Sequence, residues 1–172
     1  MAGTTVRNRL ESDIHRYVVF HKPYGVLSKF TDSEGRPTLA NYITLPNVYP
    51  VGRLDMDSEG LLVLTSDGAL AHHLTSPSSK VSKTYWVQVE RVPDDTALEC
   101  LRKGVIIQGK RTRPACVTLF NPEPDMAPRS VPIRFRKSVP TAWLSMKITE
   151  GMNRQIRRMT AQVGHPTLRL IR

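Results

Sequence analysis

Aromatic residues are scarce in this chain, at 6% of 172 residues, and cysteine is nearly absent, with only Cys100 and Cys116. So few large rings leave Val, Ile and Leu to fill the core, within a hydrophobic share of 40% that suits a globular domain. Two cysteines without a C-x-x-C spacing exclude a disulfide framework and a cysteine-based zinc site; in an apparent helix and an apparent strand, both read as core thiols. No apolar run approaches the roughly 18 residues that cross a bilayer, and charges occupy MAGTTVRNRLESDIHR where a signal peptide needs an apolar stretch. The expectation is a soluble, cytoplasmic, monomeric protein with a single core.

Acid is the other shortage. Fifteen Asp and Glu against 25 Lys and Arg leave a formal charge of +10, which points to a polyanionic partner. The imbalance is local: Gly151 to Arg172 holds Arg154, Arg157, Arg158, Arg169 and Arg172 and no carboxylate. A solvated basic face kept for solubility explains net charge, whereas clustering favours phosphates neutralised by Lys and Arg.

The first 16 residues are polar and unpatterned and read as a basic tail, with one domain over 17–172. YVVFHK reads as a buried strand broken by Pro23 and Gly25, and Thr38 to Ile43 as a short capped helix. VYPVGR and GLLVLTSDG read as strands, the second ending in a turn at Asp67-Gly68. KTYWVQVE alternates as a strand does; PDDTALECLRKG opens on acids, spaces Leu98 and Leu101 helically and ends on Gly104. VIIQG, PACVTLF and AWLSMKIT add strands, and NRQIRRMTAQVG adds a helix with Ile156, Met159 and Val163 inward. Between them, Pro122, Pro124, Pro128 and Pro132 mark an ordered surface loop. This irregular interleaving predicts an α+β class with a mixed, largely antiparallel central sheet flanked by helices and loops.

Within GRLDMDSEGLLVLTSDG, Asp55, Asp57 and Glu59 alternate before Gly60. Calcium is the first reading to test, and it fails: counted from Asp55, position twelve of an EF-hand loop falls on Ser66 instead of a bidentate Glu. A plain turn remains open, since Asp, Ser, Glu and Gly are turn formers. So does a reacting carboxylate: Asp55 follows a probable strand, and a carboxylate in a basic protein repels phosphate but serves as nucleophile or base.

Four segments, in order and spacing, are similar to motifs of the bacterial ribosomal pseudouridine synthases related to the small-subunit rRNA enzyme A: HKPYGVLS, GRLDMDSEGLLVLTSDG, KTYWVQVE and EGMNRQIRRMTAQVGHPTLRLIR. The likeness spans nearly everything from Tyr17 onward, and VPIRFRKSVPTAWL further resembles the large-subunit branch of type E. It implies the pseudouridine synthase fold, an active site in a basic cleft, and isomerisation of one uridine in ribosomal RNA without cofactor or metal. Large-subunit rRNA is favoured, with small-subunit rRNA or tRNA, or a noncatalytic rRNA-binding protein, as alternatives. The family's extra N-terminal RNA-binding module is not expected before Tyr17, and family members usually continue beyond LRLIR, so the C-terminus is expected to be truncated.

Carried over by position, the resemblance makes Asp55 the catalytic carboxylate, Tyr85 the ring that stacks on uracil and could take the C5 proton, and Arg157 the partner of Asp55. Arg53 would fill the gap left by the displaced base, and Ile156 would offer an apolar wall. Arg154, Arg158, Lys22, Lys83, Arg134, Arg136 and Lys137 are the expected RNA contacts, while Asp57 and Glu59 would shape the turn.

Overall fold

The computed structural model describes residues 14–133, 136 and 138–172. Arg134 and Lys137, both expected to meet RNA, and the tail through residue 13 lie outside the described residues. Arg16, assigned above to the tail, already joins the fold: its amide donates to Ser66 Oγ at 2.9 Å and its carbonyl accepts from Thr65 Oγ1 at 2.6 Å.

Two antiparallel sheets form the frame. In the first, strand β3 (Gly60–Thr65) lies between β1 (Tyr17–Lys22) and the short β2 (Tyr49–Pro50). In the second, the order is β7 (Cys116–Leu119), β8 (Thr141–Ile148), β4 (Lys83–Glu90), β9 (Thr167–Ile171). A small hairpin, β5 (Ile106–Ile107) with β6 (Lys110–Arg111), stands apart. The sheets meet where Glu59 pairs in parallel with Ile171: the Glu59 amide donates to Leu170 O, Arg172 N to Glu59 O and Leu61 N to Arg172 O, at 2.8–2.9 Å. That one parallel junction makes the combined sheet mixed, as the sequence predicts.

Helix α2 (Asp95–Lys103) starts because Asp94 accepts from the Ala97 amide at 2.8 Å, and it ends at Gly104, whose φ of 85° few other residues adopt. Its Leu98 and Leu101 join Val87, Val89, Leu144 and Met146 of the four-stranded sheet in the main core. Helix α3 (Gln155–Gln162) adds Ile156 and Met159 to the same core. Leu39, Val48, Leu62 and Leu64 form a second, smaller cluster. No helix among the described residues is long and apolar enough to cross a membrane.

Several sequence expectations are corrected. Both cysteines are exposed: α2 turns Leu98 and Leu101 inward and Cys100 outward, and the alternation of β7 buries Val117 at the expense of Cys116. The helix expected over Thr38 to Ile43 is one 3-10 turn, Leu39–Asn41, and VYPVGR contributes only Tyr49–Pro50 to a strand. Helix α1 (Gly68–Thr75) replaces the expected turn, capped where Asp67 accepts from Leu70 N at 2.9 Å.

Gly60 makes the junction possible. It pairs with Lys22 of β1, has φ 104°, and a Cβ there would run into the Arg172 carbonyl and lie 2.7 Å from the Arg172 amide. Gly60→Ala should therefore cost roughly 2–4 kcal/mol, combining backbone strain with loss of the junction. Chemical denaturation of both proteins checks this; unchanged stability would mean that the sheets do not depend on this approach.

Candidate active site

The segment carrying Asp55 is not a free loop. Ser28 Oγ accepts from the Leu54 amide at 3.0 Å and donates to the Leu54 carbonyl at 2.8 Å, while Gly25 N donates to Met56 O at 2.8 Å. Asp55 is thus bracketed on both sides by the HKPYGVLS segment, and its own carbonyl accepts from Ser58 N at 3.0 Å. Beneath them lies Lys22, wholly buried, whose ammonium donates to Val26 O at 2.7 Å and Pro23 O at 2.8 Å and reaches Met56 O at 3.5 Å. Placed there by the end of β1, it binds the turn and the Asp55 segment to one cation.

The three alternating carboxylates have three different environments. Glu59 is buried in a two-pronged ion pair with Arg169 of β9, both contacts at 2.9 Å, and the Arg169 guanidinium also donates to Ala127 O at 2.9 Å. Asp57 is half-buried and receives Arg154 on both oxygens, at 3.0 and 2.7 Å. Arg157 donates to the Asp57 carbonyl at 2.6 Å and brings its Nε to 3.4 Å from the carboxylate. Burial pushes the Asp57 carboxyl up, but the Arg154 hydrogen bonds and the Arg157 charge outweigh it and hold it below the usual range. Asp55 has the loosest hold: Oδ2 lies 3.5 Å from Arg154, and the side chain remains 38% exposed.

Arg154 reaches both aspartates because it precedes α3 in the left-handed region, φ 51° and ψ 35°, a conformation unusual for a long side chain. Tyr85, on β4, packs at the edge of the main core. Burial raises its phenol pKa and the Asp55 charge adds to this, with the Arg172 guanidinium opposing.

The expected site residues are therefore redistributed. Arg157 meets Asp57 rather than Asp55, because α3 directs it to the turn backbone and to Thr167 O, 3.4 Å away. Arg154, expected on phosphate, is the arginine that approaches Asp55. Lys22 cannot touch RNA, since all of its surface is covered. Ile156 is a core residue, 3% exposed, so any apolar wall at the site comes from Tyr85 at the edge of that core. Arg53 and Arg136 are exposed, Lys83 is half-buried and bonded to Val81 O, and Arg158 leans on Asn153 Oδ1 at 2.9 Å. Glu59 was read as a turn former and is instead an ion-pair anchor; an arginine sharing the alternation of TLRLI was the only signal. Among the described residues no three His, Cys, Asp or Glu gather as a metal-binding group.

A clamped, part-exposed carboxylate approached by Arg154, with the partly buried Tyr85 near enough to feel its charge, marks the candidate site, and comparison with known proteins gives its class. The model of the RNA pseudouridylate synthase family matches residues 16–162, and the chain belongs to that family, isomerases that make pseudouridine. It is 59% identical over 157 residues to "Ribosomal large subunit pseudouridine synthase E" of Xanthomonas axonopodis pv. citri, covering 90% of this chain and 83% of that protein. To the protein of the same name from Vibrio vulnificus it is 54% identical, covering 91% and 67% respectively. A solved pseudouridylate synthase superposes with a TM-score of 0.73 at 25% identity; the match covers 92% of this chain and 61% of that one.

The buried lysine generates a prediction. Burial lowers the Lys22 ammonium from 10.5 to about 8, against the pull of Glu59, Asp57 and Asp55. Between these values the unfolded chain binds more protons than the folded one, so the contribution of Lys22 to stability rises with pH across that window. Lys22→Met should unfold more easily at pH 7, by about 1–3 kcal/mol, because it strands buried carbonyls. Denaturant titrations should show wild type gaining on the variant between about pH 8 and 10; a constant gap would mean that Lys22 is not held as a buried cation.

Proposed function

We propose that the chain converts one uridine of large-subunit ribosomal RNA to pseudouridine in the cytoplasm, as a monomer, with Asp55 as the reacting carboxylate and no cofactor. The observation that carries this reading is the unequal treatment of the carboxylates: Glu59 and Asp57 have their lone pairs taken by arginines, and Asp55 keeps its own available to a substrate. The reaction breaks the C1′–N1 bond and forms C1′–C5; the C5 proton leaves and N1 gains one, so atoms balance within the nucleoside. Asp55 serves it by attack on C1′, by addition to the base, or by removing a ribose proton. All three require a carboxylate held rigidly against the nucleoside, at the sugar for the first and third and at the base edge for the second, and the clamps on Leu54 and Met56 supply that rigidity.

Burial raises the Tyr85 phenol pKa, so the ring meets the uracil as a neutral phenol able to stack on it. The uridine must leave its stack to bring ribose and base edge together, at a cost of a few kcal/mol offset by stacking and phosphate contacts. Exposed Arg53 and Arg136, with Arg158, provide cations for that backbone. Large-subunit rRNA is favoured by the type E relatives, whose names carry that subunit.

Asp55→Asn should abolish pseudouridine formation while RNA affinity stays within several-fold, because only the reacting oxygen is lost. Conversion by the purified variant would overturn the role of Asp55. Carbodiimide mapping of rRNA from cells lacking the protein should lose one large-subunit stop, and an unchanged map would overturn the ribosomal substrate.

A further inference from the structure

Beside the Asp57 carboxylate lies a cavity of about 300 Å³, bordered by Tyr24, Asp57, Arg129, Val131, Arg157 and Thr167. Its wall is built from two segments far apart in sequence. Tyr24 belongs to the HKPYGVLS segment that brackets Asp55, and Arg129 to the proline-marked loop after β7. The Arg129 guanidinium lies 3.9 Å from the centre of the Tyr24 ring. Its own hydrogen bonds go to carbonyls of its loop, Val131 O and Pro132 O, and among the described residues it meets no carboxylate. Arg157, which borders the same space, leaves its buried Nε without a hydrogen-bond partner. The loop is fixed to the site from below, since Arg169 joins Ala127 O to Glu59.

An aromatic face with a guanidinium beside it that no carboxylate neutralises is suited to one unstacked base, the ring taking the base plane and the cation its phosphate. The cavity is at the small end of ligand-sized spaces, enough for a single nucleotide and too small for a duplex. Its connection to Asp55 runs through Asp57 and Arg154, so an occupant would be adjacent to the reacting uridine.

Resting on the uridine-isomerising reading above, we propose that Tyr24 and Arg129 form a subsite for one unpaired nucleotide flanking the target. On binding, the base displaces the guanidinium from the Tyr24 ring and stacks there, and Arg129 moves to its phosphate. The subsite thereby reads RNA structure next to the target: a flanking nucleotide locked in a helix cannot enter it. This explains why the loop bearing Arg129 is anchored to the carboxylate segment instead of hanging free.

The test uses the full chain and an in vitro rRNA fragment tritiated at uridine C5, with abasic sites placed singly at the positions flanking the target. Tyr24→Leu should lower kcat/KM about tenfold to a hundredfold through KM, as expected for one lost stacking partner, and Tyr24→Phe should restore it. For wild type, one abasic position should cost the same factor; in Tyr24→Leu that position should cost nothing further. Arg129→Ala should raise KM and flatten its salt dependence, with Arg129→Lys intermediate. Additive effects of Tyr24→Leu at every abasic position, or equal losses in Tyr24→Phe, would overturn the subsite while leaving the enzyme reading intact. A wild-type chain that converts no uridine in any rRNA would overturn the parent reading and the subsite with it.

Discussion

Everything near the site depends on the buried Glu59–Arg169 pair. It lies at the junction where the two sheets pair, between the residue before β3 and the middle residue of β9, 110 positions apart in the chain. Two charges taken out of water gain little net stability, but removing one partner leaves the other stranded, at a cost of about 3–5 kcal/mol. The pair therefore acts less as glue than as a register pin. It fixes which residue of β9 faces Glu59, and through Ala127 O it fixes the height of the loop that carries Arg129.

From that pin the site is built outward. Gly60 lets the chain pass close against Arg172, β3 runs back along β1, and the segment before Glu59 is left as a short bridge over the KPYG turn. Lys22 supports the bridge from below, Ser28 grips Leu54, and Arg154 just before α3 and Arg157 within it come in from the side. Charges of both signs are so arranged that only one carboxylate of three keeps free lone pairs. A basic cleft built this way attracts a phosphate chain over long range and still presents a carboxylate to its sugar.

The parts legible in the sequence were those with local causes. KTYWVQVE became β4 because alternation and β-branched residues describe a strand anywhere, and Asp94 with Gly104 delimited α2 as cap and stop. The four motifs located Asp55 and the basic helix. What stayed hidden was set by contacts distant in sequence. Nothing local to Lys22 announces that three carbonyls will surround its ammonium. Arg157 was paired with Asp55 by its position in the motif, whereas Arg154 sits before the helix in a left-handed conformation that carries its side chain to both aspartates. Cys100 was misplaced for a simpler reason: the 3.6-residue period that buries Leu98 and Leu101 turns it outward.

The central claim is that Asp57 orients and Asp55 reacts, although the two lie two residues apart and share Arg154. Single-turnover conversion of rRNA by Asp57→Asn, with enzyme in saturating excess, tests it most directly. The account predicts measurable pseudouridine formation, slowed by up to about a hundredfold as expected for a misplaced reacting group, with full conversion on longer incubation. No conversion by Asp57→Asn alongside a folded, RNA-binding protein would contradict it.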